Sequence, residues 1–204
     1  MKKLLIAAAL LMAFSAPASA QGWYTDFAAA YEFLQDAQLK DPAIPGSKGS
    51  LAGHDGFAVT GAFGYAFENG IRTEAELGYR RNSLDHISGG GYGNVFSGDV
   101  DGDVSAVSGM ANIIYDYKTA GSIIPYVGGG IGAADVNVNS DQLHVDASDL
   151  VFAYQFMGGV RFPLTKMVSL RAGYRFFATL DPKIQGTEGE YFTHNIEIGF
   201  TFGF

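Results

Sequence analysis

The chain has 204 residues, with 13 Lys and Arg, 21 Asp and Glu, no Cys and a formal net charge of −8. This acidity excludes nucleic acid as an expected partner, because phosphates require cationic side chains. The lack of Cys excludes a disulfide scaffold and thiol chemistry. The 28 Gly, 16 Phe and 11 Tyr, with few charges, are not typical of a disordered chain.

The first 20 residues predict a cleaved signal peptide. Lys2 and Lys3 precede an apolar run from Leu4 to Phe14, and the small residues Ala18-Ser19-Ala20 form a cleavage site. The apolar run is too short to span a membrane as a helix. We therefore expect one mature domain over residues 21–204, and loss of the two lysines changes its net charge from −8 to −10.

Apolar and polar side chains alternate with a period of two in eight later segments, which is the pattern of β-strands. The predicted strands lie at 23–33, 57–67, 71–80, about 104–117, 123–134, 150–162, 168–176 and 192–204. The fifth segment is rich in glycine, and its pattern does not show which face points inward.

Short and long connections alternate between these strands. Asn69-Gly70 predicts a two-residue type I′ hairpin turn, and the connections at 118–122 and 163–167 are also short. The long loops lie at about 35–56, 82–103, 135–149 and 178–190, and they carry 14 acidic residues but only three lysines. Short turns at one end and long loops at the other are typical of outer-membrane barrels, in which the short turns are periplasmic.

One face of the predicted strands is aromatic and aliphatic, and the other face carries charges. A soluble β-sandwich would alternate in the same way, with the apolar face as its core. The signal peptide, the eight strands and the terminal Phe together favour an eight-stranded antiparallel up-and-down transmembrane β-barrel in the bacterial outer membrane. The charged residues predicted to face the lumen are Asp26, Glu32, Arg72, Glu74, Glu76, Arg80, Arg161, Arg171, Arg175 and Glu197.

These lumenal charges comprise five arginines and five carboxylates. An eight-stranded barrel is narrow and filled by side chains, and buried charges need partners. We therefore expect an ion-pair plug in the lumen. A small ion-conducting pore remains the alternative, because small residues such as Ala62, Gly78 and Gly173 also lie on the inward face and leave room for water.

The last strand alternates through Ile196 and Ile198 to Phe200, Phe202 and Phe204. This ending resembles the insertion signal that outer-membrane barrels present to their assembly machinery. An aromatic-rich strand of this kind can pair with a partner by edge addition. Phe200, Phe202 and Phe204 are therefore predicted to form the insertion signal.

Three segments resemble a known family. They are Gly22-Trp23-Tyr24, the strand from Gly70 to Arg80, and the run from Pro125 to Gly132. Together they are similar to the outer-membrane surface-antigen barrels of the opacity-protein and OmpA-like group. The resemblance spans residues 21–204 and implies an eight-stranded barrel with variable surface loops, concerned with host contact or envelope integrity. The peptidoglycan-binding domain of the OmpA type is not expected.

We expect no metal site, cofactor or catalytic residue. The run Gly98–Asp103 offers alternate aspartates, but it lacks the glycine and glutamate of a calcium-binding EF-hand. His54, His86 and His144 lie in different loops, and their spacing does not require that they meet. A lipid A-modifying enzyme is a third alternative. Asn195 and Ile196 follow His194, so the His-x-Ser pattern of the lipid A deacylases is absent.

The expected partners are the lipids of the outer membrane, lipopolysaccharide and the outer-membrane assembly machinery. A host or surface ligand is expected at the loops. The function predicted from the sequence is an outer-membrane structural or surface-antigen protein whose barrel anchors acidic extracellular loops.

Overall fold

The computed structural model describes residues 22–34, 37–40, 48–91, 94–117, 119, 122–140, 145–180, 183–184, 187–189 and 191–204. The predicted signal peptide lies outside these residues. No helix within the described ranges is long and apolar enough to cross a membrane. The strands are β1 (Gly22–Leu34), β2 (Ala37–Lys40), β3 (Lys48–Ala66), β4 (Ile71–Gly91), β5 (Asn94–Asp116), β6 (Ile124–Ser140), β7 (Val145–Pro163), β8 (Val168–Thr179), β9 (Lys183–Ile184), β10 (Thr187–Gly189) and β11 (Phe192–Gly203).

Eight of these strands close into an antiparallel barrel, which confirms the predicted fold class. Their order around the barrel is β1, β11, β8, β7, β6, β5, β4 and β3, and β1 pairs with β3 to close the ring. Tyr24 of β1 lies opposite Gly203 of β11, and Trp23 lies opposite Tyr65 of β3. Closure removes the sheet edge, as lipid requires, because no water there can satisfy free backbone groups.

The outer surface of the barrel is apolar. Leu77 and Leu150 are each 72% exposed, and Phe156 is 60% exposed. These large side chains point away from the barrel axis, whereas a soluble β-sandwich would bury them in its core. The β-sandwich alternative is therefore wrong. The glycine-rich strand β6 follows the same rule, since Tyr126 faces inward and Ile131 faces outward.

The two ends of the barrel differ in their connections. The short-turn end carries the β3–β4, β5–β6 and β7–β8 turns, and the long-loop end is opposite. At the long-loop end β2 pairs with β3 and β10, and β10 pairs with β9. These short strands connect the chain that follows β1 with the chain that precedes β11.

The β3–β4 turn is longer than the predicted two-residue turn. The Phe67 N–H donates to the Ile71 carbonyl at 2.8 Å, and the Gly70 N–H donates to the Phe67 carbonyl at 3.2 Å. Gly70 has a φ of +91°, a left-handed conformation that glycine adopts without a Cβ clash. The structure therefore uses a three-residue hairpin loop with glycine at its left-handed position.

The strands continue into segments that were predicted as long loops. β4 and β5 remain paired as far as Gly91 opposite Asn94, within the predicted loop 82–103. β6 and β7 remain paired as far as Ser140 opposite Val145, within the predicted loop 135–149. Backbone pairing does not require alternating side chains, so the sequence pattern ends before the hydrogen-bonded ladder does.

Candidate functional site: the barrel lumen

The ten charged residues predicted to face the lumen lie on inward positions of the strands. Nine of them are 9% exposed or less, and the side chain of Arg161 is 19% exposed. An eleventh charged residue, Asp116, is 6% exposed at the end of β5. Asp116 follows the outward Tyr115 on β5 and so lies on the inward face. The sequence does not show which arginines it contacts.

Asp116 binds two arginines near the short-turn end. Its carboxylate accepts hydrogen bonds from Nε of Arg72 at 3.0 Å, from Nη2 of Arg72 at 3.1 Å and from Nη2 of Arg161 at 2.5 Å. The Arg72 guanidinium also lies 5.3 Å from the ring centre of Tyr24, within the range of cation–π attraction. We call Arg72, Asp116 and Arg161 the mouth cluster, which carries two positive charges and one negative charge.

A chain of alternating charges crosses the middle of the lumen. Arg171 lies 2.8 Å from Asp26 and also contacts Glu197. Arg175 lies 3.0 Å from Glu197 and 2.6 Å from Glu76. These five residues form the central network. Because β8 and β4 lie on opposite walls of the eight-stranded ring, the contact between Arg175 and Glu76 spans the lumen.

Neutral side chains extend the central network. Gln155 accepts a hydrogen bond from Nη1 of Arg175 at 2.9 Å and donates to Oδ1 of Asn112 at 2.7 Å. Asn112 donates to Glu74 at 3.0 Å, and the Tyr24 hydroxyl donates to the same carboxylate at 2.7 Å. Gln155 and Asn112 are not among the ten predicted lumenal charges, but their places in the alternating pattern put both on the inward face.

An apolar cluster, which the sequence pattern does not predict, fills part of the lumen towards the long-loop end beside the buried polar residues Arg80 and Asn82. The Tyr191 hydroxyl donates to Oδ1 of Asn82 at 3.2 Å, so its polar end is satisfied. Phe177, which follows Arg175 on the inward side of β8, is 0% exposed. Together, the residues of this apolar plug are Val104, Ala106, Met110, Ala134, Val136, Ala153, Phe177 and Tyr191.

Arg80 connects the apolar plug with a buried carboxylate. Its Nε lies 3.8 Å from Glu32, and its Nη1 donates to the Ser108 hydroxyl at 2.9 Å. The guanidinium carbon lies 3.6 Å from the ring centre of Phe177. Glu32 and Arg80 are both 0% exposed. The cation–π contact lets an arginine pack against an apolar layer while its charge faces a carboxylate.

Tyr126 lies in the lumen over two glycines. It is 2% exposed, and a Cβ added at Gly173 would lie 2.3 Å from its hydroxyl oxygen. At Gly159, directly opposite Gly173 on the neighbouring strand, the added Cβ would lie 2.8 Å from the same oxygen. A side chain larger than that of glycine at either position would therefore overlap with the Tyr126 hydroxyl group.

Gly173→Ala should lower the free energy of unfolding by about 1–3 kcal/mol, because the added methyl group overpacks the site around Tyr126. The matched control is Gly109→Ala on the outer surface, where the added Cβ meets a Leu77 carbon at 3.9 Å. Urea unfolding of the two variants in lipid vesicles measures the difference. Equal stabilities would contradict tight packing around Tyr126.

The aromatic residues of the predicted insertion signal lie on the outer surface. Phe200 is 44% exposed. The Phe204 N–H donates to the Trp23 carbonyl at 3.0 Å, and its ring lies 6.2 Å from that of Phe63. Phe202 packs edge-on against Phe27 at 6.4 Å. Their recognition by assembly machinery stays a prediction.

Among the described residues, no group of three or more His, Cys, Asp or Glu is arranged to hold a metal ion. The side chains of His54, His86, His144 and the 98–102 segment lie outside the described residues. His194 is half-buried on β11, and its Nδ1 lies 2.5 Å from the Tyr174 hydroxyl. This contact pairs His194 with a tyrosine on the outward face of β8.

The closed barrel agrees with the protein family whose sequence model this chain matches. The sequence model of the outer membrane protein beta-barrel domain matches residues 6–204. The chain belongs to this family. The barrel therefore lies in the bacterial outer membrane with its apolar surface in lipid, as the sequence predicted, and the resemblance to outer-membrane barrels is confirmed.

A relative and two solved structures show how far the likeness extends. An outer membrane protein of Gluconacetobacter diazotrophicus is 30% identical over 176 residues, covering 76% of this chain and 46% of the relative. The chain thus spans about half the length of that relative. Neisserial surface protein A (NspA) has a TM-score of 0.61 and 21% identity over 90% of this chain and 97% of its own. OprG of Pseudomonas aeruginosa has a TM-score of 0.57 and 14% identity over the same shares. At these identities both structures show a shared fold.

Proposed function

We propose that this protein is a non-conducting outer-membrane anchor that presents acidic loops at the cell surface. The observation that carries the proposal is the filling of the lumen. Glu32, Arg80, Gln155 and Phe177 are each 0% exposed, so no water-sized space adjoins these side chains. A barrel filled in this way acts through the segments that it displays, because its interior offers no path for solutes.

The charge of the predicted loops supports a role in surface interaction. Their 14 acidic residues and three lysines give the long-loop end a net charge of −11. Such a surface attracts divalent cations and cationic ligands. We propose that the loops contact lipopolysaccharide through bridging cations, or a host or surface ligand directly, and thereby support envelope integrity. NspA, which shares the fold, is named a surface protein.

A small ion-conducting pore is the second candidate, and one observation favours it. The short-turn end opens into a cavity of about 830 Å³. For conduction this cavity would have to continue past the central network and through the apolar plug. Planar-bilayer recordings of the refolded protein test this directly, and we expect no steady conductance.

A loop-neutralised variant tests the surface role. Asn or Gln replaces eight loop acids, which changes the net charge of the predicted loops from −11 to −3: Asp36, Asp41, Asp85, Asp141, Asp146, Asp181, Glu188 and Glu190. We expect this variant to fold and to reach the outer membrane, because every residue of the central network and the apolar plug is retained. In a deletion strain it should fail to restore resistance to detergent and to a divalent-cation chelator, which the full chain restores.

The control is the amount of folded protein in the outer membrane, measured by heat-modifiable gel mobility in both strains. Full restoration of resistance by the loop-neutralised variant at equal abundance would contradict a function carried by the acidic residues of these loops. It would direct attention to the barrel itself.

A further inference from the structure

The short-turn end of the barrel contains a cavity with a cationic floor. The cavity has a volume of about 830 Å³, and the mouth cluster lines its floor together with Tyr24. Lys166, in the β7–β8 turn, lies exposed at its rim. In outer-membrane barrels this end faces the periplasm, so periplasmic molecules have access to it.

The mouth cluster has an excess of positive charge. Asp116 supplies one carboxylate to the two guanidinium groups of Arg72 and Arg161. The Nε of Arg161 is buried and has no hydrogen-bond partner among the described residues. Asp116 therefore satisfies only part of this guanidinium. The Arg161 side chain is 19% exposed and lines the cavity, so an incoming acceptor can reach it. Over the whole cavity, Arg72, Arg161 and Lys166 face only Asp116 and the rim residue Glu68 as described acidic lining residues.

Hydrogen bonds within the turn hold the segment that carries Lys166. The Thr165 hydroxyl accepts hydrogen bonds from the N–H groups of Met167 at 3.1 Å and Val168 at 3.0 Å. The Leu164 N–H donates to the Val168 carbonyl at 2.9 Å. A turn fixed in this way holds the Lys166 backbone at the cavity rim, on the same side of the barrel as Arg161 at the end of β7.

We propose that this cavity binds a small oxyanion, a carboxylate or a phosphate group, between Arg161 and Lys166. A guanidinium presents several donors in a plane, and an ammonium adds a point charge, so together they suit an oxyanion. Two sources supply this chemistry in the periplasm: a soluble anion, or the headgroup of an anionic lipid in the inner leaflet. The site lies at the opposite end from the loops and does not depend on the anchor function.

Binding is followed through the phosphate itself, because the single tryptophan of the sequence does not report on the cavity interior. The Trp23 ring is 51% exposed on the outer surface and stacks on Phe63. The refolded protein is titrated with inorganic phosphate in dodecyl maltoside, a detergent without phosphate, while the heat of binding and the phosphorus-31 NMR line width are recorded. A second arm places the protein in phosphatidylcholine vesicles with increasing phosphatidylglycerol. We expect a saturable change in at least one arm.

Three variants locate the binding. Lys166→Gln changes an exposed side chain and leaves the barrel interior intact, and Arg161→Gln retains the pair of Arg72 and Asp116. Each should weaken binding by about tenfold, since each removes a charge-assisted contact. Arg81→Gln is the matched control, because Arg81 is exposed near the other end of the barrel, where it pairs with Asp103. It should bind as the wild type does.

The outcomes separate the sources and test the site. Saturation by free phosphate identifies a soluble anion, and saturation by phosphatidylglycerol alone identifies a lipid headgroup. Both support the proposal when Lys166→Gln and Arg161→Gln weaken the response. No saturable response in either arm would overturn the proposal, and so would equal affinity for the wild type and all three variants.

Discussion

Replacing Arg175 with methionine should lower the free energy of unfolding of the barrel by about 3–5 kcal/mol. Arg175 lies 2.6 Å from Glu76 and 3.0 Å from Glu197, and all three side chains are 2% exposed or less. Methionine fills part of the same space but leaves both carboxylates without this cation. Urea unfolding in lipid vesicles, followed by circular dichroism and by heat-modifiable gel mobility, measures the loss.

Two comparisons separate charge from packing in this experiment. Arg81→Met removes an arginine whose side chain is 54% exposed and lies 3.2 Å from Asp103, and it should cost less than about 1 kcal/mol. Adding Glu76→Gln to Arg175→Met removes one buried negative charge and should recover part of the lost stability. If Arg175→Met and Arg81→Met were equally stable, the central network would contribute no more than a surface ion pair.

The double variant Arg175→Ala with Phe177→Ala should conduct ions, whereas the wild type and each single variant should not. Arg175 belongs to the central network and Phe177 to the apolar plug, so the lumen is blocked at two successive levels. Removing one level leaves the other closed, because an ion stripped of water in a narrow apolar or fully packed passage faces a large desolvation cost. Single-channel recordings in planar bilayers distinguish the four proteins.

A second double variant, Tyr174→Ala with Phe176→Ala, is the matched control. It removes two large side chains from the same strand on outward positions, and it should remain non-conducting. If this control conducted ions, the current of the first double variant could be explained by a general disruption of the barrel and not by an opened lumen. Steady, ion-selective conductance of the wild type would overturn the non-conducting anchor and favour the pore.

Side-chain direction could be predicted from the sequence, but side-chain partners could not. The inward position of Glu197 follows from its place among Ile196, Ile198 and Phe200, because neighbouring residues on a strand face opposite sides. Its contact with Arg175 on the neighbouring strand depends on the register of β8 against β11. Register is set by the pairing of whole strands, so local alternation does not contain it.

The apolar plug and the role of Asp116 show a second feature that the sequence pattern does not predict. Alanine and valine on the inward face, such as Ala106 and Val136, give no signal of whether they line an empty lumen or pack together. Asp116 is a lone acidic residue before a turn in the sequence. It becomes a shared acceptor because the register of the consecutive strands β4 to β7 brings Arg72 from β4 and Arg161 from β7 to the same end of the barrel.

The sequence by itself determined the class of fold, the membrane-facing surface and the charged character of the interior, because the period of two in a strand is a local property. The tertiary structure alone decided which charges meet, where apolar side chains fill part of the lumen and where a cavity with a cationic floor remains. Glu76 and Arg175 are 99 positions apart in the chain. Closure of the ring brings them within hydrogen-bonding distance, because it places β4 and β8 on facing walls of a narrow barrel.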